Sequence, residues 1–265
     1  MLMKSKEYKQ FLRKIKTNKL LVHITGIVIL LLLIFIWEYL ANKEIINIFI
    51  YSSPSRVLKT IISLYQENNL FKHIWITVYE TGISFILATV MGTIIAIILW
   101  YSKFLYQVFD PYLTVLNSLP KVALGPIIII LFGANINAII IMALLISLII
   151  TIVNVYAGFI STDMNRIKLM QGFGASKMQM LRYLIIPYNY HVIINSLKIN
   201  VGMSLVGVIM GEFLVSKAGI GYLINYGSQI FNLNLVYAGI VILLVVSYLM
   251  YLIVLYIEKV LIRNN

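Results

Sequence analysis

Charged residues are scarce in this chain, and their scarcity excludes most soluble folds. Its 265 residues contain nine Asp and Glu, and charged residues make up 11% of the total, whereas a soluble domain carries about 25%. Hydrophobic residues make up 61%, and the mean hydropathy is +0.95. A soluble domain of this length is therefore excluded, and the chain is predicted to lie in a membrane.

Chemical groups that enzymes use are also missing. Cysteine is absent, which rules out disulfides, thiolate metal sites and a cysteine nucleophile. His23, His73 and His191 share no metal-ligand spacing with acidic residues, and residues 172–177 lack the Gly-Lys-Ser/Thr core of a phosphate-binding loop. We expect no catalytic residue, no metal site, no cofactor bound by this chain, and no paired membrane carboxylates of the kind that proton-coupled pumps use.

Six apolar runs are long enough to cross a membrane, which takes about 20 residues. They are residues 20–40, 74–100, 105–132, 138–160, 187–214 and 236–261. The predicted fold class is all-α integral membrane, with six transmembrane helices. Residues 1–19 form a basic tail, and residues 20–265 form a single membrane domain.

The distribution of basic residues predicts the orientation. With residues 1–19 in the cytoplasm, fourteen of the 21 Lys and Arg residues lie on the cytoplasmic side and five lie outside, as the positive-inside rule requires. Both termini and residues 163–182 are then cytoplasmic, in the cell (inner or plasma) membrane. The net charge of +12 is explained by these span ends and lipid contact, so we expect no nucleic-acid partner.

The third span is interrupted by two prolines, Pro120 and Pro126. Proline removes a backbone donor and clashes with the preceding turn, so this helix is predicted to kink or break near the middle of the membrane. Broken membrane helices are tolerated where they line a cavity or are buried in protein. The polar residues Asn117, Ser118 and Lys121 cluster at the break, which favours a cavity over a purely structural kink.

Polar and small residues share one face of the fifth span and one face of the fourth. At about 100° per residue, the fifth-span set falls within one arc: Asn189, Ser196, Asn200, Ser204, Gly207 and Gly211. The fourth-span set is Ser147, Thr151, Asn154 and Gly158. Polar groups facing lipid are costly, so both faces meet protein or water. Glycines alone indicate close packing, but the hydroxyl and amide groups favour a translocation path.

Lys198 and Glu212 lie on the side of the fifth span opposite its polar arc. On a straight helix they are about 21 Å apart at 1.5 Å per residue, so they do not pair with each other. Each therefore needs another partner. Contact with a substrate and a purely structural role both remain open for this pair.

Residues 163–187 form a polar island between two apolar runs. Gly174 fits a left-handed helix stop, and Ser176 with Gln179 three residues later fits a capping box. The pattern predicts a short helix-turn-helix at the membrane face. Gly174, nine residues and then Leu184-x-Ile186-Pro187 resemble the cytoplasmic EAA loop of ABC importer permeases, although residues 168–170 (Lys-Leu-Met) replace the family's Glu-Ala-Ala.

Other motifs follow in the order typical of the sulfonate, taurine and nitrate permeases. They are SPSRVL at residues 53–58, DP at 110–111, LPKVALGP at 119–126, FG at 132–133, GEF at 211–213 and GIGYL at 219–223. The chain resembles this group of type I ABC importer permeases from about residue 53 onward. Glu80 stands where that group often has Arg, which puts in doubt any ion pair the family makes there.

The resemblance implies a permease subunit with a MetI-like core and coupling helices at about residues 163–183. The implied partners are a second copy of the chain, an ATPase dimer that uses ATP and Mg, and an extracytoplasmic binding protein. The expected contacts to the ATPase are Arg166, Lys168, Gly174, Ala175, Ser176 and Pro187. The expected path residues are Asn117, Ser118, Lys121, Ser147, Thr151, Asn154, Ser196, Asn200 and Ser204.

The substrate is the least determined feature. The resemblance and the lysines at 121 and 198 favour a small anion such as a sulfonate, taurine or nitrate. A thiamine precursor or riboflavin is the alternative. A self-sufficient secondary transporter is a rival of another class, which should show internal repeats or intramembrane charge pairs, and the sequence shows neither clearly.

Overall fold

A computed structural model describes residues 6–67 and 69–263, and every regular element in those ranges is helical. The α-helices are α1 (Lys6–Asn42), α2 (Ile48–Tyr51), α3 (Pro54–Gln66), α4 (Leu70–Tyr101), α5 (Lys103–Ser118), α6 (Gly125–Phe132), α7 (Ile136–Ile160), α8 (Met164–Gly172), α9 (Lys177–Met180), α10 (Ile186–Tyr188), α11 (Tyr190–Val215), α12 (Ile220–Gln229) and α13 (Leu233–Arg263). The chain divides into two units, residues 1–63 and 64–265.

The first unit is built around α1. No residue in the most apolar window of this helix is buried, as expected for a span surrounded by lipid. At its C-terminal end the indole Nε1–H of Trp37 donates to the carbonyl of Tyr51 at 3.2 Å. The Glu38 carboxylate accepts from both the backbone N–H and the hydroxyl of Ser55, each at 2.9 Å, and these bonds hold the start of α3 against the end of α1.

The described residues contain five helices long and apolar enough to cross a membrane, or six when the bent pair in the third predicted span counts as one. In that pair α5 and residues 121–132 are bent by 95°. The predicted break at Pro120 is therefore confirmed, and a 3₁₀ turn, Lys121–Leu124, follows it. Pro126 makes no second break, because it lies in the first turn of α6, where a missing N–H leaves no bond unmade.

Three helices of the second unit, α4, α7 and α11, pack together at small residues. A Cβ added at Gly92 would lie 2.6 Å from the Cβ of Thr151, and one added at Gly211 would lie 3.0 Å from the Cα of Ile139. At Gly207 an added Cβ would overlap the backbone of Ala143. The glycines thus let these backbones approach more closely than any side chain would allow.

Candidate functional site

The first half of the polar island is a capped helix that ends where the sequence predicts. Asp163 precedes α8 and accepts a hydrogen bond from the backbone N–H of Asn165 at 2.9 Å. Gly174 has φ +74, and its N–H donates to the Gln171 carbonyl at 2.9 Å. The left-handed stop at Gly174 is therefore confirmed, and it turns the chain into the second half of the island.

The second half begins with the predicted capping box. Ser176 Oγ accepts from the N–H of Gln179 at 3.3 Å, and Gln179 Oε1 accepts from the N–H of Ser176 at 2.8 Å. The helix α9 then widens into a π-helix, Leu181–Ile185, in which the Ile186 N–H bonds the Leu181 carbonyl five residues back. Pro187 follows in α10, and the single turn residue Asn189 (φ −97, ψ 11) separates α10 from α11.

The inner face of the 163–189 segment is fixed to the membrane helices. Leu181 and Ile185 are buried against Val155 and Phe159 of α7. Asn189, which is 1% exposed, donates from Nδ2 to Thr162 Oγ1 at 2.7 Å and to the Ile185 carbonyl at 2.9 Å. The segment is therefore tied to the end of α7 on one side and continues directly into α11 on the other.

The outer face of the same segment is apolar and basic together. Its exposed apolar side chains are Met164, Leu169, Phe173, Met178 and Tyr183, with Phe173 80% exposed. Among the expected contact residues, Arg166, Lys168, Gly174, Ser176 and Pro187 are exposed and Ala175 is half-buried. Apolar side chains held outward on a rigid, charged frame are typical of a protein-docking surface.

A buried polar network lies near the other end of α11. Glu212 is 1% exposed; its Oε1 accepts from the hydroxyl of Thr77 at 2.6 Å and its Oε2 from the N–H of Gly221 at 2.5 Å. Thr77 Oγ1 in turn accepts from the N–H of Ile220 at 2.8 Å. These bonds satisfy backbone donors at the start of α12 that have no partner within the helix.

His73 extends this network on the α4 side. Its Nδ1 accepts from the N–H of Gly219 at 2.9 Å, and its ring stacks with Tyr222 at 5.9 Å. The sequence gives His73 no role beyond a position near a span end. Its partners lie in a turn far along the chain, so only the tertiary structure reveals its role in holding that turn.

Glu80 completes what we call the Glu212 network (His73, Thr77, Glu80, Glu212 and residues 219–222). Glu80 is also 1% exposed, and its carboxyl group lies beside that of Glu212. The Oε2 atom of Glu80 is buried and has no hydrogen-bond partner among the described residues. The expectation that the membrane part has no paired carboxylates is thus wrong.

The two predicted intramembrane charges each have a partner in the structure. Lys198 Nζ lies 2.8 Å from Glu258 Oε1 of α13, and Glu212 belongs to the network above. The sequence search for charge pairs missed Lys198–Glu258 because its members come from different helices. Charge pairing is therefore a weak criterion for separating a secondary transporter from an importer subunit.

The polar arcs of the fourth and fifth spans face other helices of the same chain. Their members Ser147, Thr151, Ser196, Asn200 and Ser204 are at most 3% exposed, and Asn154 is half-buried. The Ser147 hydroxyl donates to the Ala143 carbonyl of its own helix at 2.7 Å, and Asn200 Nδ2 donates to Thr89 Oγ1 of α4 at 3.1 Å. In this conformation the arcs are packing surfaces, and their access to water stays a prediction.

The residues at the break in the third span have a different environment. Asn117 and Ser118 line a cavity of about 350 Å³ between α5 and α7, which we call the α5 cavity. Lys121 lies beside it, and its Nζ donates to the Asn117 carbonyl at 2.9 Å. Across the described residues, no group of three or more His, Cys, Asp and Glu side chains could hold a metal ion.

Known proteins with similar sequences are membrane permeases. The aliphatic sulfonates transport permease protein SsuC of Bacillus subtilis is 25% identical over 222 residues, which cover 84% of this chain and 80% of that protein. The formylaminopyrimidine transport permease protein ThiX of Halalkalibacterium halodurans is 27% identical over 192 residues, covering 72% and 76%.

A solved structure shares the fold. An inward-facing conformation of the MetNI methionine ABC transporter matches with a TM-score of 0.64 at 18% identity, covering 74% of this chain and 97% of that one. The predicted all-α fold of a type I importer permease is therefore confirmed. The profile of the "Binding-protein-dependent transport system inner membrane component" family matches residues 88–263, and the chain belongs to that family of ABC importer permeases.

Proposed function

We propose that two copies of this permease form one substrate path, that a separate ATPase docks on the 163–189 segment, and that an extracytoplasmic binding protein delivers the substrate. The outward-facing apolar surface of that segment is the observation that carries the proposal. Phe173 is 80% exposed on a turn that is fixed to the membrane helices, and a fixed apolar projection of this kind suits insertion into a protein groove.

The 163–189 segment has the connections that a coupling element needs. It is anchored on α7 by Leu181 and Ile185, and it runs through the π-helix and α10 into α11 with only the turn residue Asn189 between α10 and α11. A force applied at its outer face is therefore passed to two of the packed membrane helices. Closure of the ATPase would switch these helices between two arrangements, as in other bistable coupling elements.

A second copy of the chain is supported by the unpaired surface of α5. Phe104, Tyr112 and Val115 of this helix are 73%, 63% and 57% exposed, and its polar side chains open into the α5 cavity. Exposing Asp110, Asn117 and Ser118 to lipid within the membrane would cost free energy. We place the subunit boundary and the substrate path along α5, with the 163–189 segment and both termini in the cytoplasm.

Reconstitution of the purified proteins in lipid vesicles tests the proposal. Proteoliposomes containing this chain, its ATPase and its binding protein should accumulate the substrate only with ATP and Mg present. Vesicles with this chain alone should accumulate nothing. Accumulation by the chain alone would favour the secondary transporter instead. Protease sites at Lys177 should be protected in right-side-out vesicles, and cleavage from outside would overturn the orientation.

A matched pair of substitutions tests the docking surface itself. Phe173→Asp should weaken binding of the ATPase to the permease by at least about tenfold, because it places a charge in an apolar contact. Phe231→Asp is the control, since Phe231 is 71% exposed and its φ of +56 suits Asp. Equal ATPase binding by both variants would remove the docking role of the 163–189 segment.

The substrate path is testable through the absence of native cysteine. Single-cysteine variants at Asn117 and Ser118 should react with hydrophilic thiol reagents in the inward-facing state. Variants at Ser196, Asn200 and Ser204 should react only in a state in which α4, α7 and α11 have separated. No reaction of these three in any nucleotide state would mark the arc as permanent packing.

A further inference from the structure

The α5 cavity has an organised lining on one face of a helix. Tyr106, Asp110, Asn117 and Ser118 line it from α5, and Tyr156 lines it from α7. Residues three, four, seven and eight apart share a helix face, so the α5 groups form one strip. A volume of about 350 Å³ is within the range of small-molecule sites, which begin at about 300 Å³.

The aromatic part of the cavity is a stacked pair. The rings of Tyr106 and Tyr156 lie 4.1 Å apart between centroids with an interplanar angle of 17°, and both side chains are half-buried. Stacked tyrosines hold each other in one orientation and offer flat π surface to the cavity. Planar ring systems stack on such a surface, and cationic ones gain a further attraction from the ring quadrupole.

The cavity lining includes one acidic side chain, Asp110. Tyr106 and Asp110 lie one helical turn apart on α5 and line the same cavity, so the carboxylate is close to the rings. The lining residues include no lysine or arginine. Lys198 is paired with Glu258, and Lys121 is bonded to the Asn117 carbonyl. An anion in the cavity would meet the Asp110 carboxylate directly, whereas the Lys121 ammonium lies beside the cavity and is not among its lining residues.

The remaining polar groups suit a heterocycle with ring nitrogens and exocyclic amino groups. The Asn117 amide offers both donors and an acceptor, and the Thr114 hydroxyl offers a donor and acceptor lone pairs. The Ser118 hydroxyl donates to the Val115 carbonyl at 2.9 Å and offers acceptor lone pairs. All three line the same cavity. A few polar groups at the edge of an aromatic site are the usual means of orienting a flat ligand.

Resting on the importer function proposed above, we propose that the α5 cavity contacts the substrate during transport and that this substrate is a planar nitrogen heterocycle carrying no net negative charge. Tyr106 and Tyr156 stack with the ring, and Asp110 attracts a positive charge. Asn117 and Ser118 bond its edge. This assigns the chain to the heterocycle alternative of the sequence analysis rather than to sulfonate or nitrate transport.

The test uses the full chain in lipid nanodiscs, without ATPase or binding protein. Equilibrium binding is measured for three probes: thiamine as a cationic heterocycle, riboflavin as a neutral one and ethanesulfonate as an anion. Thiamine and riboflavin should bind, and ethanesulfonate should not bind at the same concentrations. Ethanesulfonate binding in preference to the two heterocycles would overturn the proposal, whatever the variants do.

Variants separate a contact with the ligand from a structural tie between α5 and α7. Asp110→Asn should weaken thiamine binding about tenfold and riboflavin binding less than about threefold, because only the charge is removed. Tyr156→Leu should weaken both. Tyr256→Leu is the control, since Tyr256 of α13 is 71% exposed and is not among the lining residues. Equal weakening of both heterocycles by Asp110→Asn would indicate a structural role and overturn the proposal.

The outcomes also separate this proposal from the importer function. ATP-dependent uptake of a sulfonate by the complete complex would overturn the cavity assignment and leave the importer function intact. Heterocycle binding in nanodiscs together with ATP-independent uptake by the chain alone would support the cavity assignment and overturn the ATPase coupling.

Discussion

The two ends of α11 show opposite uses of the same kinds of residue. At its start, the 163–189 segment keeps Gly174 in open space, with no atom within 4 Å of an added Cβ, and turns apolar side chains outward. At its far end, Gly219 and Gly221 lie so close to the Glu212 side chain that an added Cβ at either glycine would overlap it. Polar groups face outward at the first end and are enclosed at the second.

The difference indicates two roles: the 163–189 segment is the proposed docking surface, and the Glu212 network stabilises the fold. In the Glu212 network, Glu212 accepts bonds from Thr77 and Gly221 inside the protein, so loss of these bonds should be felt as lost stability. On the proposed function, the 163–189 segment presents its outer surface to the ATPase, so changes there should leave the fold intact and affect coupling. Four substitutions test this division, in order of decreasing effect on the free energy of unfolding.

Gly221→Ala should have the largest effect on stability. An added Cβ would lie 2.8 Å from Glu212 Oε2 and 3.1 Å from the Ile209 carbonyl, and overpacking of this kind costs about 3 kcal/mol. The measurement is the thermal melting of the detergent-solubilised permease. Gly202→Ala on α11 is the control, because nothing lies within 4 Å of its added Cβ. Equal melting temperatures would show that the network yields easily.

Glu212→Gln should destabilise the permease by about 2 kcal/mol. The substitution replaces one of the two accepting carboxylate oxygens with an NH₂ group, which would face the Thr77 hydroxyl or the Gly221 N–H without forming a hydrogen bond. Glu80→Gln should change stability by less than about 0.5 kcal/mol, because the buried Oε2 of Glu80 has no hydrogen-bond partner to lose and an amide can donate to Glu212. The comparison of the two melting temperatures checks whether the network depends on the accepting oxygens of Glu212. A larger loss for Glu80→Gln would reverse that order.

Ser176→Ala should cost about 1 kcal/mol, the usual loss for a helix N-cap, and the loss should be confined to the 163–189 segment. Hydrogen exchange of the N–H of Gln179, which Ser176 accepts, should become faster. Exchange in α4 should be unchanged. An equal acceleration in α4 would mean that the segment and the membrane helices unfold as one unit.

Gly174→Asp should have the smallest effect on stability and a complete effect on transport. Asp tolerates a positive φ better than most residues, so the melting temperature should fall little. A charged side chain at this exposed turn should still prevent docking and abolish ATP-dependent uptake. Gly172→Ala is the control, since it lies in α8 with open space around it. Normal coupled uptake by Gly174→Asp would remove this turn from the interface.

The sequence predicts those parts of the structure that depend on neighbouring residues. The capping box at Ser176, the stop at Gly174 and the break at Pro120 each need only a few residues, and all three are present in the structure. Glu80 and Glu212 join helices far apart in the chain, so no local pattern could pair them. Their contact requires the packing of α4 against α11.

Helical periodicity gave the right residues for the polar arcs but not what they face. Ser147 and Asn200 do share faces with small residues, and the structure buries both. The close approach at Gly207 and Gly211 explains this, because backbones that touch leave no room for water between them. A shared polar face therefore identifies a contact, while the size of the residues beside it decides whether that contact is dry.

The π-helix at Leu181–Ile185 fixes how the outer side chains of the 163–189 segment are rotated about the helix axis relative to α11. Each residue of an α-helix advances the side-chain direction by about 100°, and the wider turn inserts one extra residue between α9 and α10. Deleting that residue would rotate the outer face of α9 by roughly a quarter turn relative to α10 and the helix that follows Asn189. Side chains such as Met178 would then point away from the proposed ATPase. The π-helix therefore determines the direction in which the proposed docking surface faces relative to α11.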